Sequence, residues 1–191
     1  MSDDLDRDRE LAPLLEHFQE RLNLLFSYFF CTFEFEGDED LHKDPAKNRR
    51  AWELQTIQNA CLHTTLIALR DLDDFLTPRT PSTNRDDIRA SDFGMSQSLR
   101  FLSASERTDI NKHIAHTTVP GAHGHGYRWD IFELATKAVR QSIEFLEWVE
   151  KHLAGHFLVC TAAIVCRVKT QEIYKWVAEA VRQTKHETRN A

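Results

Sequence analysis

The stretch WDIFELATKAVRQSIEFLEWVEKHL, residues 129–153, decides the fold class. Its apolar residues Phe132, Ala135, Val139, Ile143, Leu146, Val149 and Leu153 recur every three or four positions, with charged residues between them. That is the helical period, and it makes an apolar stripe that must pack against something. Upstream, Leu11, Leu14, Leu15, Phe18, Leu22, Leu25 and Phe29 repeat the pattern over about Arg9 to Phe35. Phe26, Tyr28, Phe30 and Phe33 widen that surface and predict a second packing partner for the first helix, another subunit being one option. A second helix is predicted from Asp44-Pro45, as N-cap and first helical residue, through Leu54, Ile57, Cys61, Thr65, Leu69 and Leu72 to the stop at Thr77-Pro78. Residues 82–97 are polar and read as a loop with one short turn.

Ser103-x-x-Glu106 is a capping box that opens a third helix, closed by Val119-Pro120-Gly121. Gly155 follows the fourth helix as a C-cap. The β-branched run Phe157 to Cys166 fits strand or helix, and helix is preferred because Thr170 to Val181 continues with helical spacing. Only six Gly and five Pro occur in 191 residues, too few for a turn-rich sandwich or barrel. The expectation is an all-α, four-helix up-down bundle over residues 1–154, with an additional C-terminal helix over 155–191 packed on the same domain.

Composition narrows the function less. Hydrophobic residues make up 41% and charged residues 28%, as in globular proteins generally. A net charge of −6 offers no general pull toward nucleic acid, so any such contact needs a local basic patch. Cys31, Cys61, Cys160 and Cys166 form no Cys-x-x-Cys pair and sit among apolar neighbours, which predicts buried thiols in a reducing compartment. The acidic start Met-Ser-Asp-Asp-Leu-Asp is unlike a signal peptide, and the longest apolar run is too short for a membrane span. A cytoplasmic location is therefore expected.

The chemistry-bearing stretch is Arg107-Thr-Asp-Ile110-Asn111-Lys112-His113-Ile-Ala-His116. At helical spacing, His113 and His116 share a face, and Arg107 and Asn111 share a neighbouring one. Two imidazoles can move protons to and from a phosphodiester while Arg or Lys holds the phosphate, with no metal required. The competing bland reading is that His116 merely favours a helix C-terminus. His113, His116, His123 and His125 also offer nitrogen ligands, but no Cys or carboxylate partner accompanies them, so neither metal nor other cofactor is expected. His152 and His156, spaced four apart, read as surface residues near a helix end, and Arg70 with Asp74 as a helix ion pair. Lys47-Asn-Arg-Arg50 reads as a solvated basic face.

Asn111-Lys-His-Ile-Ala-His116, with two long helices before it and one after, resembles the motif and layout of HEPN domains of the abortive-infection type. The resemblance spans roughly the first 150 residues. It implies a helical bundle, a homodimer with the two motifs at the interface, and in many members a metal-independent ribonuclease in phage defence or a toxin–antitoxin setting. On this resemblance His116 is the acid/base, Asn111 the orienting group, Arg107 or Lys112 the phosphate contact, and His113 a secondary catalytic candidate. The family motif carries Arg just before the polar residue, and here Ile110 stands there. A second registration pairs Arg107 with His113 and puts Thr108 at the polar position. The alternative is a non-catalytic module of the same build, binding nucleotide, RNA or a protein partner. A His-cluster metal-binding bundle is the third reading.

Overall fold

A computed structural model describes the backbone of residues 2–34, 38–78, 87–115 and 130–190, and the side chains of 6–33, 38–78, 87–112 and 130–179. Among these residues the protein is all-α, with five α-helices and no strand. They are α1 (Ser2–Glu34), α2 (Arg49–Phe75), α3 (Ala104–Ala115), α4 (Ile131–His152) and α5 (Phe157–Asn190). Short 3-10 turns lie at Glu39–His42 and Ala90–Phe93. No helix among the described residues is long and apolar enough to cross a membrane.

α1 and α2 run antiparallel. Arg21 meets Asp71 near one end, and Gln58 donates to the Thr32 carbonyl near the other. α5 lies beside α1 in the same direction, since the Leu158 amide donates to Asp8 and the Cys166 thiol to the Leu15 carbonyl. It also packs on α4, where Arg167 forks onto Glu150. The stretch at 157–166 is thus helical, and α5 buries Val159, Ala163, Cys166, Ile173 and Val177 in the common core. At the centre, Phe18, Phe75, Phe93 and Phe145 form one aromatic cluster with neighbouring ring centroids 4.7–6.3 Å apart. Offset and edge-on contacts of this kind suit the ring quadrupoles.

Several local expectations are corrected. The second helix starts at Arg49, not at Asp44-Pro45. Asp44 accepts from the Ala46 amide in a preceding turn, and Asn48 supplies the true N-cap, accepting from the Ala51 amide at 3.1 Å. The second packing partner of α1 is in the same chain: Phe33 stacks on Phe132 of α4 at 4.5 Å, and Phe29 meets the same ring edge-on. Residues 90–99 are not merely polar, because Ala90, Phe93, Met95 and Leu99 are buried. Gly94, at φ +95°, closes the turn there in a conformation that favours glycine. Gly155 does not adopt a positive φ, and α4 is capped at Leu153 instead. Cys61 and Cys166 are buried but Cys31 and Cys160 only half-buried, and all four are thiols. Burial pushes the Cys166 thiol up to about 11. The expected end of the third helix at Val119–Gly121 lies outside the described residues.

Candidate functional site

The start of α3 is built from the end of α2. The Leu99 amide donates to the Leu76 carbonyl at 3.0 Å, and the amides of Phe101 and Leu102 both donate to Asp73 Oδ1 at 2.9 and 3.0 Å. Asp73 is fully buried. A buried carboxylate is tolerated only with its lone pairs satisfied, and two backbone amides do part of that. The predicted capping box then forms: the Ser103 amide donates to Glu106 at 2.7 Å, and the Glu106 amide donates to the Ser103 hydroxyl at 3.2 Å. Burial alone would raise the Glu106 carboxyl, but the hydrogen bonds from Ser103 and Lys137 outweigh it and hold it below its ordinary value.

Arg107 sits one turn into α3 and is committed to carboxylates. Nη1 donates to Asp73 Oδ2 at 2.7 Å, and Nη2 donates to Asp74 Oδ1. Burial opposes its charge, yet the contacts with Asp74 and Asp73 prevail and raise its pKa above the ordinary arginine value. Arg89 reinforces the junction, donating from Nη1 to the Asp74 carbonyl, and Arg100 Nε lies 3.8 Å from Asp73. Ile110 is wholly buried in the core. The position where the motif carries arginine is thus an anchoring position of α3.

The remaining motif residues divide by face. Asn111 is half-buried, and its Oδ1 is shielded from solvent with no hydrogen-bond partner among the described residues. Lys112 is exposed. At about 100° per residue, Asn111 lies about 40° round the helix from Arg107, whereas position 113 lies about 120° away. The structure therefore brings Arg107 and Asn111 to one side of α3 and sets Lys112 apart. His113 falls in the last turn with its side chain outside the described residues, and His116, His123 and His125 lie outside them altogether.

Asp73 is the residue that sequence reasoning missed. Asp71 and Asp74 carry its signal too, an acidic run on an otherwise apolar stripe, but only the fold shows which carboxylate turns inward. Arg70 and Asp74 do pair, at 3.8 Å. His152 is exposed and stacks on Trp148 with centroids 4.5 Å apart. His156, by contrast, is half-buried against Asp8 at 3.6 Å rather than on the surface. Lys47, Arg49 and Arg50 pair with Asp44, Glu53 and Asp38 on a solvated face. No cluster of three metal-ligating side chains occurs among the described residues. Comparisons with protein-family models, curated proteins and solved structures find no match to this chain.

Proposed function

We propose that the chain is a HEPN-like helical bundle that works as a binding module for a phosphate-bearing ligand, RNA or nucleotide, without turning RNA over. One observation carries the reading. The arginine of the motif helix, Arg107, is bonded to Asp73 and Asp74, and Ile110 is packed in the core. A guanidinium already bonded to two carboxylates contributes little to a developing phosphorane charge. Ile110 supplies no charge at all. The metal-independent ribonuclease, with His116 as acid/base and Lys112 on the phosphate, is the reading this one competes with.

The module is read as cytoplasmic and as pairing with a second copy. Support for pairing comes from the outer face of α5, which leaves Phe157 75% and Trp176 59% exposed, with Leu158, Ile164, Val165 and Val168 between them. Monomers rarely leave such a stripe to solvent.

The test is binding without turnover. Labelled single-stranded RNA is titrated with the protein in EDTA by fluorescence anisotropy, then recovered and sized. Saturable binding with intact RNA is expected. RNA shortened in proportion to protein and time overturns the reading.

A further inference from the structure

An open cleft of about 380 Å³ lies between α1, α2 and residues 87–89, with Asp74 in its lining. That volume is at the small end of ligand sites. Three guanidiniums line it, one from each wall: Arg21 of α1, Arg70 of α2 and Arg89 of the incoming segment. Arg89 is only 8% exposed, so this cation is built into the fold and does not drift on the surface.

The arginines are incompletely satisfied. The Nε atoms of Arg70 and Arg89 are both buried and donate to no hydrogen-bond acceptor among the described residues, Arg70 Nε lying 3.8 Å from Asp74. A buried N–H without a partner is costly and uncommon, so two in one cleft point to an acceptor supplied from outside. Asp71, Asp74 and Asp87 face the three arginines, and Asp74 is shared with Arg107 across the α3 junction. Arg21 pairs with Asp71 at 2.9 Å and Arg89 with Asp87 at 3.2 Å. Both partners of the Arg21–Asp71 pair are partly exposed, and such pairs exchange partners at little cost. His17 accepts from Arg21 Nε at 3.4 Å and holds that side chain over the opening.

We propose that this cleft is the ligand site of the module and that it binds a phosphate monoester, with Arg21, Arg70 and Arg89 as its donors. The proposal rests on the binding-module reading and gives it a place away from the α3 motif. The chemistry favours a terminal phosphate over a backbone diester. A monoester offers about two charges and three oxygens, which match three forked donors. The aromatic residues beside the cleft, Phe18 and Phe75, are themselves buried in the core, so among the described residues no open ring lines it for a base to stack on. Recognition is therefore of the phosphate.

The experiment is calorimetric titration of the full chain at low ionic strength with inorganic phosphate, AMP and adenosine. Phosphate and AMP are expected to bind and adenosine is not. R21Q and R70Q change partly exposed side chains, and each is expected to weaken binding about tenfold or more, the loss of one charge-assisted bond, with unchanged helical circular dichroism. R49Q, which removes one charge from a remote exposed pair, is expected to bind as wild type does. Equal binding of adenosine and AMP overturns the proposal, as does unchanged affinity in R21Q and R70Q or the absence of phosphate binding by folded protein. Competition by 5′-phosphorylated RNA, but not by 5′-hydroxyl RNA, assigns the phosphate to a strand end. Failure of both strands to compete assigns it to a free nucleotide, and either result upholds the site. RNA cleavage that requires His116 overturns the module reading alone and leaves the phosphate titration standing.

Discussion

Asp73 joins more of the structure than any other single side chain at the α2–α3 junction. Its two oxygens accept from the amides of Phe101 and Leu102 and from Arg107. Replacing it with alanine leaves those amides and part of a half-buried guanidinium without partners. D73A is expected to cost on the order of 3 kcal/mol in chemical denaturation. D73N keeps an acceptor for the amides and loses the charge, so about half that cost is expected. Arg107 separates structure from ligand contact at the same place. R107A is expected to lower stability in chemical denaturation. Unchanged stability with lost affinity would return Arg107 to the role of phosphate contact.

At the scale of elements, α3 is held by its N-terminus, and its capping box makes that hold depend on pH. The Glu106 carboxyl is held below its ordinary value in the fold. A depressed carboxyl stabilises the fold above its unfolded pKa, and that contribution disappears as pH falls through the lower, folded pKa. Between pH 6 and pH 3 the wild type is therefore expected to lose more stability than E106Q, so that their difference in melting temperature narrows in acid. A difference that stays constant or widens would show that Glu106 is not held in this way. The capping box was legible because Ser103 and Glu106 carry their partners within three residues. The start of α2 was not. Asp44-Pro45 and Asn48 offer competing local caps, and propensity alone does not rank them.

At the scale of the whole molecule, periodicity located the helices, because each stripe faces one core. It did not show what covers each stripe. The aromatic end of α1 reads as unfilled along the chain, yet Phe132 of α4 fills it from a hundred residues away. An open apolar stripe lies on α5, where Phe157, Leu158, Ile164, Val165 and Val168 are exposed and blur the periodic contrast of its first half. The cleft was illegible for a related reason. Arg21, Arg70 and Arg89 are each unremarkable in sequence and meet only through helix packing and the segment that enters at 87–89. If a second copy covers α5, sedimentation equilibrium shows wild-type dimers. The V165E/W176E variant then sediments as a monomer with unchanged helical circular dichroism. A wild type that stays monomeric at high micromolar concentration contradicts the pairing.

The central claim is that the motif helix is a structural support and not a nuclease centre. It is tested most directly by incubating purified wild type and H116A with a mixed RNA pool in EDTA and analysing the RNA ends. Intact RNA with both proteins is the predicted result. Cleavage by wild type alone, leaving cyclic phosphate ends, would contradict the account and make Ile110 a tolerated departure in a working ribonuclease.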